Sequence, residues 1–310
     1  MVKDSYTECD LCPRQCHAHR TAGETGFCGQ TAQCKIASAC RHFGEEPSFT
    51  GRKGSGTIFF SGCACRCFFC QNYQISLEST GFTVTSQELF EIASALVDKG
   101  VHNLNFVTPD HFWPHIRELC LHLRDSGVTI PFIYNCSGYA LPDMIDQAAE
   151  LIDIFLPDFK FADPDLAHLS MHDRHYPEIA TEALAHMLDA KGFLTPWDPT
   201  GSKTACRGVM VRHLVMPGRT DNSLKVIEHL HRKFGPDLPI SIMSQFRPTP
   251  LCHDRGIFTQ GVDMRGYERI CRHIEELGFK KAYVQPESSD EDFMPDFNRD
   301  QPFAGNPESN

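Results

Sequence analysis

The chain has 310 residues, 41% of them hydrophobic, which is enough for one large domain with an appendage or for two domains. Its 40 acidic and 29 basic residues give a formal charge of −11, which argues against a nucleic-acid-binding face, since that would require clustered Lys and Arg. The N-terminal sequence lacks the apolar core of a signal peptide, and no stretch reaches about 18 apolar residues, so we expect a cytoplasmic protein without a membrane span.

The 15 cysteines of a cytoplasmic chain are expected to be metal ligands and free thiols rather than disulfides. Residues 1–50 form a cysteine-rich head with too few apolar residues for a core of its own, so a bound metal would stabilise it. The four thiols of this second metal site are Cys9, Cys12, Cys16 and Cys28. Four ligands close a site, which indicates a structural role or electron relay rather than substrate chemistry.

The spacing in the head is compatible with zinc, with an iron–sulfur cluster and with unmetallated thiols, and all three stay open. We interpret Cys34 and Cys40 as ordinary small core residues. The block His42–Pro47, HFGEEP, leads into a glycine-rich approach to the next strand. It is either part of a functional site or a turn with two solvated glutamates.

Residues 57–60, Thr-Ile-Phe-Phe, predict a short buried strand that stops at Ser61-Gly62. Directly after it come Cys63, Cys67 and Cys70, in a C-x3-C-x2-C spacing on one short loop. Iron–sulfur clusters prefer soft thiolate ligands, and closely spaced cysteines let one loop surround one cluster. Three thiolates leave one iron with open positions, whereas a closed electron carrier would need a fourth ligand. We interpret Cys65, inside the loop, as a non-ligand.

Strand-like and helix-like segments then alternate to the end of the domain. Seven apolar strands are predicted near residues 57, 103, 132, 153, 209, 240 and 282, with amphipathic helices between them. Such repeats indicate a parallel sheet covered by helices, and seven units are too few for a closed eightfold barrel. We therefore predict an α/β fold with an open, partial parallel barrel over residues 51–286, an inserted loop over 191–207 and a disordered acidic tail over 287–310.

The cysteine loop resembles the signature of the radical S-adenosylmethionine (SAM) superfamily, in which an aromatic residue precedes the last cysteine, here Phe69. The surrounding SGCACRCFFCQNYQIS is most similar to PflX-type proteins, which are grouped with the pyruvate formate-lyase activating enzymes. Six further blocks carry this resemblance from Cys9 to Pro286: CDLCPRQC, HFGEEP, VTPDHFWP, YNCSGY, LPDFKFAD and VRHLVMPG. The resemblance implies a partial barrel, a 4Fe–4S cluster on Cys63, Cys67 and Cys70, and SAM as the second cofactor.

Polar side chains at the carboxyl ends of the predicted strands are candidates for holding SAM, because ligands of parallel α/β folds bind there. SAM presents a carboxylate, an amine, a ribose and an adenine, and therefore needs a cation, acceptors and an apolar ring. The resemblance to glycyl-radical activases places Asp158, Lys160 and Arg212 at positions that contact SAM or lie near it, and Phe69 against the adenine. Asn135, at the end of the third strand, is a further candidate.

Two blocks depart from the activase pattern. Activases carry Gly-Gly-Glu after the second strand, where it holds the SAM amine, whereas this chain has Thr108-Pro109-Asp110-His111. We expect Asp110 to be the substitute acceptor for that amine, with a different backbone approach. Activases also place a histidine near the end of the sixth strand, where this chain has Ser244-Gln245-Phe246-Arg247.

The sequence thus predicts a radical SAM enzyme that reductively cleaves SAM to a 5′-deoxyadenosyl radical, which then abstracts hydrogen. A one-electron donor such as flavodoxin or ferredoxin would be its partner. Three substrate classes stay open: a backbone glycine of a glycyl-radical enzyme, another protein or peptide, and a small molecule. Two other hypotheses are a non-catalytic iron–sulfur electron carrier, which leaves Lys160 and Arg212 unexplained, and a zinc-ribbon adaptor for nucleic acid, which conflicts with the negative charge.

Overall fold

The computed structural model describes residues 4–285, 294–299 and 301–303. Its strands form a seven-stranded sheet in the order β3-β1-β2-β4-β5-β6-β7 and a three-stranded sheet in the order β10-β9-β8. The strands are β1 (Lys35–His42), β2 (Ser55–Phe60), β3 (Phe82–Thr83), β4 (Leu104–Val107), β5 (Phe132–Cys136), β6 (Ile154–Pro157), β7 (Gly208–Val209), β8 (Val211–Leu214), β9 (Ile240–Met243) and β10 (Ala282–Val284).

The two sheets follow one another as an open barrel wall. Strands β2, β4, β5, β6 and β7 pair in parallel, and so do β8, β9 and β10. A parallel bridge between Asp158 and Arg212 continues the wall from β6 to β8. The predicted α/β fold with a mostly parallel sheet is therefore confirmed, and each of the seven predicted strand positions falls in or beside a strand.

Helices cover the outer face of the sheet, as the strand–helix alternation predicts. They are α1 (Pro47–Thr50), α2 (Tyr73–Ser76), α3 (Ser86–Asp98), α4 (Trp113–Asp125), α5 (Pro142–Ala149), α6 (Pro164–Met171), α7 (Tyr176–Lys191), α8 (Thr220–Phe234), α9 (Pro250–Arg255) and α10 (Met264–Glu276). Helix α3 begins with a capping box, in which the side chains of Thr85, the N-cap, and Glu88 each accept a hydrogen bond from the other's backbone N–H. None of the helices in the described residues is long and apolar enough to cross a membrane.

Strand β1 is absent from the sequence-based interpretation, which assigned all of residues 1–50 to the head. It pairs with β2 in antiparallel register, from Ile36 opposite Phe60 to His42 opposite Ser55. Cys34 and Cys40 are buried beside and within this strand, as expected of core residues. The head is therefore joined to the main sheet through the strand that borders the cluster-loop strand.

A cluster of buried apolar side chains joins strands β5 and β6 to helix α1. Ile133, Ile154 and Leu156 from the strands pack with Phe49 of α1. The insertion between α7 and β7 adds Leu194, Ala205 and Trp197 to the same core. The predicted loop is thus irregular but packed, because its apolar side chains belong to this cluster.

The expected acidic tail over 287–310 differs where the structure describes it. Residues 294–299 and 301–303 pack against β1 and β2, and Phe297 is only 5% exposed. The rings of Phe297 and Phe303 lie 5.4 and 5.3 Å from that of Phe59. A disordered state is wrong for this short stretch, because its aromatic residues have an apolar surface to bury; the rest of the predicted tail lies outside the described residues.

Candidate functional site

The loop that carries the three predicted cluster ligands begins where β2 ends, at the carboxyl edge of the parallel strands. Gly62 makes the turn into it with a φ of +85°, a backbone conformation that L-residues rarely adopt. A Cβ at this position would lie 2.4 Å from Gln30 Cγ and 2.7 Å from the carbonyl oxygen of Cys28. The glycine therefore permits both the turn and the close approach of the head to the loop.

The thiols of the loop are largely shielded from water. Cys63 Sγ accepts a hydrogen bond from the backbone N–H of Cys65 at 3.3 Å, a contact that stabilises a sulfur ligand in its anionic form. A hydrogen bond with the Cys65 thiol and burial raise the pKa of Cys63, although the backbone N–H bond lowers it, and burial raises the pKa of Cys70. These thiols would therefore stay protonated until a metal replaces the protons.

Cys65, the predicted non-ligand, has a partner outside the loop. Its thiol is 3.1 Å from Ser137 Oγ, at the end of β5. The same thiol also interacts with those of Cys63 and Cys67. The choice of Cys63, Cys67 and Cys70 as ligands therefore stays a prediction, and Cys65 is its most informative control.

Lys160 and Asp158 form an ion pair beside the cysteine loop. Lys160 Nζ contacts Asp158 Oδ2, and both side chains are less than a quarter exposed. Burial alone would lower the pKa of Lys160, but the Asp158 carboxylate raises it well above its usual value. The positive charge of Lys160 also lowers the pKa of Cys70, and the Cys67 thiol raises the pKa of Lys160. The structure thus brings the predicted Lys160 and Asp158 together with the predicted cluster ligands.

Tyr176, at the start of α7, fixes this region, and the sequence analysis missed it. Its hydroxyl accepts from the backbone N–H of Lys160 at 2.9 Å and lies 2.9 and 3.1 Å from the carbonyl oxygens of Ser137 and Asp158. One buried hydroxyl therefore ties together the segments that follow β5 and β6. No local motif marks Tyr176 as a site residue, because the groups that it contacts come from two other segments of the chain.

Arg212 is held in a buried cluster with two carboxylates from the HFGEEP block. Its Nε donates to Glu46 Oε1 at 2.9 Å, and its Nη2 contacts both Glu45 and Glu46. The side chains of Arg212, Glu45 and Glu46 are only 11%, 7% and 9% exposed. Burial would raise the pKa of Glu45, but the guanidinium holds it below its usual value. The interpretation of these glutamates as solvated is therefore wrong.

Arg212 nevertheless lies next to the other candidates along the barrel wall. It is bridged to Asp158, and its carbonyl oxygen accepts from Phe159 N at 2.7 Å. Its neighbour His213 is buried between Phe159 O and Ser223 Oγ, and burial lowers its pKa to about 4. His213 is thus a neutral structural residue, whereas Arg212 carries a charge within the wall.

The remaining candidates occupy different surroundings. Asn135 is half-buried in β5, opposite Val107 and Leu156. Phe69 is buried among aromatic rings, with the Phe161 and Phe246 centroids at 6.2 and 6.1 Å. Both roles toward SAM stay predictions, and the Phe69 ring stands on an apolar wall of the kind that an adenine would need.

Asp110 faces a different part of the molecule from the one that the sequence suggested. It is buried, accepts from the Tyr134 hydroxyl at 3.1 Å, and burial raises its pKa to about 6. The Tyr134 ring packs against Trp113 of α4 on the outer side of the sheet. The carboxylate is thus engaged between sheet and helix, and a role as acceptor of the SAM amine is not supported by these contacts.

A second group that the sequence analysis missed is a set of three glutamines. Gln71, directly after the last cysteine of the loop, donates to the carbonyl oxygen of Gln245 and is 3.3 Å from its side chain. Gln285 Nε2 donates to Gln245 Oε1 at 3.1 Å. The block that replaces the activase histidine therefore anchors the cysteine loop to β9 and β10.

In the described part of the chain, no three His, Cys, Asp or Glu side chains are close enough to hold a single metal ion.

Comparison with known proteins gives the same family as the cysteine signature. The family model of the Radical SAM superfamily matches residues 57–231, which is more than half of the chain. An uncharacterized protein of Methanocaldococcus jannaschii is 26% identical over 254 residues, covering 80% of this chain and 68% of that protein.

Two solved structures are similar to this chain over part of their length. SuiB of Streptococcus suis, bound to S-adenosylmethionine, matches with a TM-score of 0.49 and 10% identity over 73% of this chain, and the match spans about half (48%) of SuiB. Methylornithine synthase matches with a TM-score of 0.46 and 11% identity, covering 73% of this chain and 70% of that enzyme.

Proposed function

Because the chain belongs to the radical SAM superfamily, we propose that it is a PflX-type enzyme that abstracts hydrogen from a protein, in the manner of a glycyl-radical activase. Membership of the superfamily implies a 4Fe–4S cluster and SAM. A low-potential protein of the flavodoxin or ferredoxin type would supply the electron.

One observation carries the proposal: the three-cysteine loop lies at the carboxyl edge of the parallel sheet, beside the buried Lys160–Asp158 pair. A closed electron carrier has no use for a positioned ion pair next to its cluster. A site for a charged cofactor does, because a buried cation and carboxylate can bind a carboxylate, an amine or hydroxyl groups. This pairing favours catalysis over the electron-carrier hypothesis.

The residues of the loop fit the cluster that the family implies. Three cysteines are available, and Cys63 already accepts an N–H bond of the kind that stabilises a cluster sulfur. When bound, the cluster and SAM supply the one-electron reduction that cleaves SAM and the radical that abstracts hydrogen. The chain contributes orientation and exclusion of water: Lys160 and Asp158 present opposite charges, Tyr176 fixes the strand ends that carry them, and Phe69 provides an apolar wall.

The cluster is tested by anaerobic reconstitution and electron paramagnetic resonance. Replacing Cys63, Cys67 or Cys70 with Ala should abolish a reducible 4Fe–4S signal that changes when SAM is added. The matched control is Cys65→Ala on the same loop, which should keep the signal. Loss of the cluster in Cys65→Ala together with its retention in Cys67→Ala would show that the ligand set is wrong.

The substrate class is tested separately. The protein, SAM and a reductant are incubated with glycyl-radical enzymes of the same cell, and the spectrum is followed for a glycyl doublet. A doublet that disappears in Cys70→Ala supports the activase proposal. Cleavage of SAM without a doublet in any of these enzymes would contradict it and favour another peptide or a small molecule as the substrate.

A further inference from the structure

The four cysteines of the head lie on two loops that face each other. Backbone turns form these loops, with Gln15 N donating to Cys12 O at 2.9 Å and Gly29 N donating to Gly26 O at 2.9 Å. A Cβ on Gly26 would lie 3.2 Å from Cys16 Sγ and 3.4 Å from Cys28 Sγ. The thiols of Cys16 and Cys28, one from each loop, therefore converge on the same glycine.

A buried cation lies against this group of thiols. Arg20 is 1% exposed, and its Nη1 is 3.5 Å from Cys9 Sγ. Its other hydrogen bonds go to the carbonyl oxygens of His111 and Thr31, at 2.9 and 2.8 Å. Among the residues that the structure describes, no carboxylate is within ion-pair distance of this guanidinium. A buried charge is costly unless an opposite charge accompanies it, so the surroundings of Arg20 call for an anion.

Tyr6 is a neutral side chain in the same surroundings, and its hydroxyl lacks a polar partner among the described residues. It is 1% exposed, its ring lies 4.3 Å below the Arg20 guanidinium, and its hydroxyl has no hydrogen-bond partner among the described residues. The thiols of Cys34, Cys9 and Cys28 are near enough to act on it electrostatically. Buried hydroxyl groups are almost always paired, so this donor lacks an acceptor of the kind that a thiolate could supply.

We propose that Cys9, Cys12, Cys16 and Cys28 hold a 4Fe–4S cluster as four thiolates, and that Arg20 is its buried counter-charge. A single zinc ion would need three or more of these thiols closer together than they are in the described residues, whereas each cysteine of a cluster binds a different iron. A 4Fe–4S cluster in its oxidised state has a net charge of −2 with four thiolates, and the buried cation offsets part of that charge. The Tyr6 hydroxyl would donate to a thiolate of this centre. Neither role depends on the proposed hydrogen abstraction.

The centre would also hold the loop of the first site. The carbonyl oxygen of Cys28 accepts from the backbone N–H of Cys63 at 3.3 Å. Arg14, between the head cysteines, donates through Nε to Ala64 O at 2.9 Å and reaches the carbonyl oxygens of Met171 and His172. A metal that fixes Cys28 therefore fixes a direct neighbour of a predicted cluster ligand.

Metal and sulfide analysis of the full chain tests the proposal. In the triple variant with Ala at 63, 67 and 70, which leaves the head intact, we expect about four iron and four sulfide per chain. About one zinc and no iron per chain would contradict the cluster. A folded triple variant, by circular dichroism, that contains neither metal would overturn the proposal.

Single variants test the ligand set and the counter-charge. Cys16 is exposed, so Cys16→Ala should lose the head metal without opening a core cavity. Cys206→Ala, also at an exposed cysteine, should retain it. Arg20→Met should weaken metal retention against a chelator by about 10- to 100-fold, and Arg20→Lys by less. Equal retention in Cys16→Ala and Cys206→Ala, or unchanged retention in Arg20→Met, would contradict the assignment.

Discussion

Replacing Arg212 with Met should destabilise the protein strongly and in a pH-dependent manner. The substitution leaves Glu45 and Glu46 buried without the guanidinium that contacts both. Removing one partner of a buried ion pair costs about 3–5 kcal/mol, a large part of the roughly 5–15 kcal/mol by which a domain is stable. Arg212→Lys keeps the charge but loses the forked contacts, so we expect an intermediate loss.

The pH dependence follows from the Glu45 carboxylate. In the wild type, the pKa of Glu45 is held below its usual value, so its contribution is present at neutral pH and is lost as pH falls through that lowered pKa. In Arg212→Met, the guanidinium no longer offsets burial, and only His42 and the Asn105 side chain still lower the pKa of Glu45. The pKa of Glu45 therefore rises, so the penalty is present at neutral pH and is relieved as pH falls. The stability difference between the two proteins should therefore shrink toward acid pH.

Urea unfolding of both proteins between about pH 5 and pH 8 measures this difference. The matched control is Arg174→Met, which removes an ion pair with Asp165 whose side chains are 59% and 77% exposed and should change the free energy of unfolding little. A loss in Arg212→Met no larger than in Arg174→Met, or a difference that grows toward acid pH, would refute the reasoning.

Three further substitutions test the supports of the site. Tyr176→Phe removes the hydroxyl that joins Lys160 to the end of β5, so it should cost about 1–3 kcal/mol in urea unfolding and reduce SAM cleavage per cluster; unchanged cleavage would contradict the positioning role. Gly62→Ala should lower iron content, because its Cβ collides with the head, whereas Gly100→Ala, also at positive φ but in open space, should retain iron; equal iron contents would argue against the collision. Phe297→Ala should lower the free energy of unfolding by about 3 kcal/mol, whereas Phe82→Ala, at a side chain that is 54% exposed, should lower it little. Similar losses in the two variants would show that the packed C-terminal stretch is not stabilising.

The features that the sequence predicted are those encoded by neighbouring residues. The C-x3-C-x2-C spacing lies on one loop, and apolar runs such as 57–60 and 132–136 announce buried strands without reference to the rest of the chain. Strand β1 was not predicted because two of its three buried positions, Ser38 and Cys40, are small or polar and only Ile36 is a large apolar residue, so its apolar alternation is weak. Pairing with β2, rather than its own sequence pattern, therefore makes this segment a strand.

The burial of Glu45 and Glu46 was beyond a local reading for a different reason. Their partner Arg212 is 166 residues from Glu46, and an isolated Glu-Glu pair is normally solvated. Asp110 illustrates the converse, since its place in a motif indicated SAM, whereas its side chain is occupied by Tyr134. Long-range partners, which sequence spacing does not reveal, thus decide which charged residues belong to the site.

The hydrogen bonds between distant parts of the chain have a consequence for how fast the protein folds. Tyr283 of β10 meets Ser48 of α1 at 2.7 Å across 235 residues, and Phe297 N donates to Gln74 at 2.8 Å across 223 residues. Each of these contacts requires the closure of a very long loop, whereas β2, β4, β5 and β6 pair with strands nearby in sequence. We therefore expect the central strands to associate early and these long-range contacts to form last. The surface around Phe59 would then stay exposed to water until the slowest step of folding.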